Sequence, residues 1–241
     1  MSGRLAGRIA LVTGASRGIG AAVAKAYAAE GAQLVLLART VGGLEATDDA
    51  IQKLGAPPAV LVPCDLTKFE EIDQLGGALF QRFGHLDVLV GNAAALGALG
   101  PVAQSDPAKF ESTLRLNLSA NYRLIRSLDR LLRASNAGRA IFVTSGVTTE
   151  VCDNWGAYAI SKVALEYMVS LYAAESAHTK VKAYTIDPGA VRTRMRAQAM
   201  PGEDPEQLPA PEAITDVFVK LASDAMMATG EVFRAYDHYT H

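Results

Sequence analysis

Seven short aliphatic and β-branched runs recur along the chain with helical patterns between them, and this alternation narrows the fold more than any other feature. The runs RIALVT, QLVLLA, AVLVPC, LDVLVG, RAIFVTS, VKAYTID and GEVFRAY are bounded by glycine, proline or polar residues and read as strands. Between them GIGAAVAKAYAAEG, VGGLEATDDAIQKLG, KFEEIDQLGGALFQRFG, a long segment from Pro107 to about Ala134, and WGAYAISKVALEYMVSLYAAES read as helices. Strands joined through helices form βαβ units, and a series of such units builds a parallel sheet covered by helices on both faces. The expected fold class is therefore α/β, with a seven-stranded parallel sheet.

A chain of 241 residues is the right size for one such domain, and residues 1–241 are read as a single unit. Half of the residues are hydrophobic and 20% are charged, a composition of folded globular chains. The one shift in composition is MPGEDPEQLPAPE, Met200 to Glu212, with four of the ten prolines. It reads as a structured surface loop, and with the residues just before it as a substrate lid at about 194–211. A formal net charge of −2 gives no broad basic surface for nucleic acid or an anionic membrane. No run approaches the ~18 apolar residues of a membrane span, and MSGRLAGRIALVTG lacks a secretory pattern. Cys64 and Cys152 are too few for a disulfide framework, and His85 and His178 stand alone, so no metal is expected. The expected setting is a reducing cytoplasm.

Chemistry enters at ALVTGASRGIGAAVAKAY, where a strand runs into a glycine-rich turn and then an alanine-rich helix. Such a turn lets backbone approach a pyrophosphate, while the helix N-terminus offers free N–H groups and a partial positive charge. Gly14, Ser16, Arg17, Gly18, Ile19 and Gly20 are thus candidate cofactor contacts. Nineteen positions after Gly20, at the end of LVLLA, stands Arg39. The end of the second strand is where an adenine ribose is read; a carboxylate there suits a free 2′-hydroxyl and an arginine suits a 2′-phosphate. Arg17 and Arg39 together read as a phosphate clamp selecting NADP(H) over NAD(H), against the plainer reading of two solvated loop charges.

Tyr158 and Lys162 in YAISK stand one turn apart on one helical face. A tyrosine with an ordinary pKa of about 10 is a poor base near neutrality unless a cation stabilises its phenolate, and Lys162 can supply that cation. Ser145 closes the strand AIFVTS thirteen positions earlier, so its hydroxyl should emerge at the carboxyl edge of the sheet, where ligands of open α/β folds bind. Asn117 is an amide among the leucines of LRLNLSA.

Taken together, TGASRGIG, CDL, GNAA, Asn117, Ser145, YAISK and DPGAVRT resemble, in order and spacing, the short-chain dehydrogenase/reductase family, over Gly7 to about Arg234. The resemblance implies a single Rossmann-fold catalytic domain that transfers hydride between NADP(H) and a carbonyl or secondary alcohol substrate. It implies Tyr158 as general acid/base and Lys162 as the residue that lowers its pKa and holds the nicotinamide ribose. Ser145 would orient the substrate carbonyl, and Asn117 would anchor a water linking the lysine to solvent. Asp65 and its neighbour Leu66 match the adenine contact, and Asn92 and Ala93 the segment beside the adenosine ribose. Pro188, Gly189, Val191 and Thr193 match the segment that fixes the nicotinamide carboxamide. A homo-oligomer, tetramer or dimer, is also implied, with the Asn117 and Tyr158 helices at one interface.

Some features depart from that pattern. Many family members read Asn-Asn-Ala-Gly where this chain reads Gly91, Asn92, Ala93, Ala94, and the β-carbon of Ala94 restricts the backbone. The terminal GEVFRAYDHYTH lacks a double glycine; its Tyr236, His238, Tyr239 and His241 are read either as a subunit contact or as a frayed tail. Arg123, Arg126, Arg130 and Arg133 form a stripe opposite Leu124, Leu128, Leu131 and Leu132, read as a solvated face or as a dock for an acidic partner such as an acyl carrier protein. Two alternative functions follow: a 3-oxoacyl-[acyl-carrier-protein] reductase of the same family, and a catalytically silent dinucleotide-binding sensor or scaffold.

Overall fold

In the computed structural model, which describes residues 3–238 and the side chains of 3–236, all seven expected strands form. They are β1 (Ile9–Thr13), β2 (Gln33–Ala38), β3 (Val60–Pro63), β4 (Val88–Gly91), β5 (Arg139–Val143), β6 (Lys182–Asp187) and β7 (Val232–Arg234). They lie in the order β3-β2-β1-β4-β5-β6-β7 and every pairing is parallel. The chain runs outward from β1 through β2 to β3, then crosses back to lay β4 on the other side of β1. Val12 is level with Leu36 on one side and Val90 on the other. The loops leaving β1 and β4 therefore part in opposite directions and open a crevice at the carboxyl edge of the sheet.

The helices are α1 (Gly18–Ala29), α2 (Val41–Lys53), α3 (Phe69–Phe83), α4 (Pro107–Leu114), α5 (Ala120–Ala134), α6 (Gly156–Glu175), α7 (Arg194–Ala199) and α8 (Thr215–Ala222). One face of the sheet sends Val12, Leu36, Val90 and Ile141 against Val23 and Tyr27 of α1, Leu44 of α2 and Phe218 of α8. The other sends Leu11, Leu37, Leu89 and Phe142 against Ile72 of α3, Leu128 of α5 and Leu165 of α6. Because successive strand residues feed opposite cores, the strands are apolar throughout rather than alternating.

The segment from Pro107 to Ala134 is not one uniform helix. Asp106 caps α4 by accepting from the Lys109 N–H at 3.1 Å, with Pro107 in the first turn. Residues Arg115–Ser119 then form a π-helical turn before α5 begins. The arginine stripe of α5 is largely spent inside the chain. Arg123 pairs with Asp73 of α3 at 2.7 Å and lies over the Phe69 ring, Arg126 is 3.9 Å from Asp73, and Arg133 pairs with Asp129 at 2.7 Å.

Candidate active site

The glycine turn is shaped by what surrounds it. Gly14 and Gly18 have φ of +65° and +55°, a region that side chains disfavour. A β-carbon at Gly14 would sit 2.8 Å from Asn92 Nδ2, and one at Gly20 would collide with the Gly14 carbonyl. The absent side chains leave a cradle between the end of β1 and the start of α1. Thr13, fully buried, holds the cradle's floor: its Oγ1 donates to the Val90 carbonyl at 3.1 Å and accepts from the N–H groups of Asn92 and Ala93 at 2.9 and 3.0 Å. Asn92 returns a bond from Nδ2 to the Thr13 carbonyl at 2.9 Å. Thr47 of α2 donates to the Ala15 carbonyl at 2.9 Å and pins the turn from the far side. Neither threonine stands out in the sequence, because the groups they hold are backbone atoms of other elements.

Beside the turn, Arg17 and Arg39 are exposed, and among the described residues neither forms an ion pair with a carboxylate. Asp65 accepts from the backbone and hydroxyl of Thr67 at 2.9 and 2.8 Å, and these bonds, with Arg39 and Lys68 nearby, hold its carboxyl below the usual range. Two unpaired guanidinium groups next to a turn of free N–H groups and a glycine cradle fit a dinucleotide that carries an extra phosphate.

At the other end, Ser145 follows β5, and Tyr158 and Lys162 enter from the first turns of α6. Tyr158 is 7% exposed and Lys162 3%. Burial pushes the Tyr158 phenol up, opposed by its hydrogen bond with Ser145, while Asp187 adds a smaller upward push. Burial pulls the Lys162 ammonium down to about 8, and Glu166 partly restores it. Lys162 Nζ donates to the Val143 carbonyl at 2.6 Å and lies 5.7 Å from the centre of the Tyr158 ring. Glu166, one turn further along α6, accepts from Thr144 Oγ1 at 2.6 Å and Thr148 Oγ1 at 2.8 Å, which ties the Ser145 loop to the helix carrying the tyrosine and lysine.

Asn117 does not face the cleft. It is fully buried in the π turn, where its Oδ1 accepts from the Ala95 N–H at 2.8 Å and its Nδ2 donates to the Ala95 carbonyl at 2.9 Å and to Ser161 Oγ at 3.0 Å. The amide thereby joins the segment after β4 to α6, directly between Tyr158 and Lys162 in sequence. Its own carbonyl accepts from Asn121 Nδ2 at 2.7 Å. Asn121 also accounts for Gly91: a β-carbon there would meet Asn121 Oδ1 at 2.7 Å and collide with the Phe142 ring.

Asp187, 3% exposed at the end of β6, accepts from the Gly189 N–H at 3.0 Å. Burial raises its pKa, and the amides of Gly189 and Gly146 and the Tyr236 hydroxyl draw it back. Tyr236 packs over Gly189, whose φ is +72°. The described part of the C-terminal segment therefore turns onto its own chain's loop after β6. Tyr239, His241 and the His238 side chain lie outside the described residues.

A cleft of about 1050 Å³ runs between these two ends. Ser145, Tyr158, Lys162, Arg17, Arg39, Asp65, Leu66, Asn92 and Ala93 all line it, as do Gly14, Ser16, Gly18, Ile19, Pro188, Gly189, Val191 and Thr193. Gly20 and Asn117 stand behind its walls. Trp155 also lines it, and no motif singled that residue out.

Known proteins resemble the chain in sequence and fold. An uncharacterized oxidoreductase of Escherichia coli K12 is 36% identical over 95% of this chain and 91% of its own length. A D-threitol dehydrogenase of Mycolicibacterium smegmatis is 32% identical over 92% of this chain and 88% of its own. Among solved structures, a short chain dehydrogenase from Pseudomonas syringae superposes with a TM-score of 0.94 at 39% identity, covering 98% of this chain and 97% of that one. One from Shigella flexneri, complexed with NADP, has a TM-score of 0.94 at 34% identity, covering 98% and 100%. One from Escherichia coli CFT073, complexed with NADPH, has 0.93 at 35%, covering 98% and 99%. The short chain dehydrogenase pattern itself matches residues 8–204, from the first strand to just beyond α7. With likeness at this level in sequence and fold, the chain belongs to the short chain dehydrogenase family of oxidoreductases.

Proposed function

We propose that the chain is an NADPH-dependent carbonyl reductase. The observation that carries this reading is the convergence of Ser145, Tyr158 and Lys162 at one end of a cleft whose other end presents Arg17 and Arg39. NADP and NADPH bound to two close structural relatives support the cofactor, and an arginine at position 39 suits its 2′-phosphate. NADPH, when bound, supplies the hydride.

The chain's own residues do the rest. Ser145 donates a hydrogen bond to the substrate oxygen and polarises the carbonyl. Tyr158, kept protonated by burial, is suited to give its proton to that oxygen as negative charge develops there. Lys162 holds the nicotinamide ribose, and its charge stabilises the phenolate left behind. Asn117, its polar atoms engaged with Ala95, Ser161 and Asn121 rather than free to anchor a water, fixes the backbone on either side of this group. Residues 194–211 act as a lid. The unpaired apolar stripe Ile160, Val163, Tyr167 and Leu171 along α6 supports assembly into a dimer or tetramer. Free Cys64 and Cys152 suit a reducing cytoplasm.

The test is to follow oxidation of NADPH and NADH in parallel over a panel of ketones and aldehydes, with Arg39→Asp beside the native chain. Loss of a charge-assisted bond costs about 1.5–3 kcal/mol, or about 10- to 100-fold in affinity. The native chain should favour NADPH by at least that factor, and Arg39→Asp should erase the preference. A native chain that prefers NADH, or that oxidises neither cofactor with any carbonyl, would overturn the proposal.

A further inference from the structure

The mechanism makes no use of Trp155, yet the fold takes trouble to place it. It is the single tryptophan of the chain, three residues before Tyr158, with ring centroids 5.8 Å apart and planes tilted by 52°. Asn154 before it has φ +66°, alone among the described non-glycine residues in being positive, and Gly156 after it has φ +29°. The Asn154 carbonyl accepts from the Gly100 N–H at 2.7 Å, which locks this conformation to the loop that follows β4. Residues held in sparsely populated backbone regions gather at sites where the side chain's position matters. Here the result is an indole on the cleft wall beside the proposed proton donor.

The wall of the cleft around the indole is apolar. The segment after β4 contributes Ala94 and Leu96, and α7 contributes Met195 and Ala199 beside the polar Arg194, Arg196 and Gln198, so the apolar surface lies on the side of Trp155 and the segment after β4. The acids that line the cleft, Asp65 and Glu212, are engaged with Thr67 and with Lys25 respectively. Arg196 is engaged in turn by Glu203, at 2.6 and 2.7 Å. A polyhydroxylated substrate would find few acceptors for its hydroxyls beside Gln198, whereas a flat ring would stack on the indole and fill the alanine, leucine and methionine surface.

We infer that Trp155 determines specificity and that the preferred substrates are aryl ketones, with the ring against the indole and the carbonyl oxygen at Ser145 and Tyr158. This rests on the carbonyl-reductase reading. In the reaction the carbonyl carbon gains a C–H bond with the hydrogen and two electrons given up by NADPH. The oxygen gains the Tyr158 proton, and the products are a secondary aryl carbinol and NADP⁺; Tyr158 recovers its proton from solvent.

Two measurements test the inference. The first compares 2-acetonaphthone, 2-butanone and the ketose erythrulose as substrates of the native chain, Trp155→Ala and Trp155→Phe. Native kcat/KM should favour acetonaphthone over both others, Trp155→Ala should raise its KM at least tenfold more than that of butanone, and Trp155→Phe should recover most of the loss. The second needs no turnover: in the Tyr158→Phe chain with NADP⁺, acetonaphthone should quench the single tryptophan's fluorescence saturably, and erythrulose should not. Turnover of butanone or erythrulose in preference to acetonaphthone, or a KM for acetonaphthone indifferent to Trp155, would overturn the inference and leave the reductase reading standing. If no carbonyl is reduced at all, the reductase reading falls. The quenching titration then decides the aryl site alone, and its absence counts against it.

Discussion

At the scale of single residues, the site depends on how burial moves two pKa values. Lys162 is drawn from the ordinary 10.5 down to about 8, while Tyr158 is moved up, so in the cofactor-free protein the lysine loses its proton first. The groups facing them are Glu166, which favours the charged lysine, and Asp187, which disfavours the phenolate. For carbonyl reduction the phenol must be protonated and the lysine charged. We therefore expect kcat/KM for NADPH, which reports the free enzyme, to hold at neutral pH and fall as pH rises through about 8. A profile flat to pH 10 would contradict this. The same shift has a thermodynamic side. Between about 8 and 10.5 the unfolded chain binds more protons at this lysine than the folded one, so this group's contribution to stability rises with pH across that window. The Tyr158 and Lys162 pair could be read in the sequence because both residues lie on one turn of one helix. Ser161, Glu166 and Thr13 could not, since each acts on an atom supplied by a distant element; Asn117 and Ser161 meet across 44 positions.

At the scale of elements, α6 serves two surfaces at once. Tyr158 and Lys162 face the cleft, while Ile160, Val163, Tyr167 and Leu171 recur every three or four residues on an exposed face. An apolar stripe of this length on a helix that also carries the proposed proton donor favours a second copy of the chain as its cover. Sedimentation should find the native chain as a dimer or tetramer, with Val163→Glu combined with Tyr167→Glu driving it to monomer. A native chain that sediments as a monomer at micromolar concentration would contradict the assignment. The strands and most helices were legible because their hydrophobic period survives in the sequence. The π turn at Arg115–Ser119 was not, since it inserts one residue's worth of offset without altering composition; its effect is to turn Asn117 inward to Ala95 and Ser161. The arginine stripe of α5 was legible as a stripe but not as to its partners, because Asp73 lies on another helix, 50 positions away from Arg123.

At the scale of the whole molecule, the reversal of strand order at β1 and β4 creates the crevice, and the loops at that edge supply both ends of the site. The glycine turn, Arg39, Ser145 and the α6 pair are separated by more than 140 positions in sequence and lie along one cleft. Architecture was therefore readable from the pattern of runs, while the shape of the substrate end was not: Trp155 is placed by a loop conformation that rests on Gly100 rather than on any motif. The central claim is that this cleft passes hydride to a carbonyl while Tyr158 protonates the oxygen. It is tested most directly by single-turnover reduction with NADPH carrying deuterium at both C4 positions, in the native chain and in Tyr158→Phe, with NADPH binding measured for each. The account predicts one deuterium on the carbinol carbon of the native product, and in Tyr158→Phe a transfer rate lower by about 10² to 10⁴ with the NADPH dissociation constant nearly unchanged. Undiminished transfer in Tyr158→Phe, or a native product without deuterium at that carbon, would contradict it.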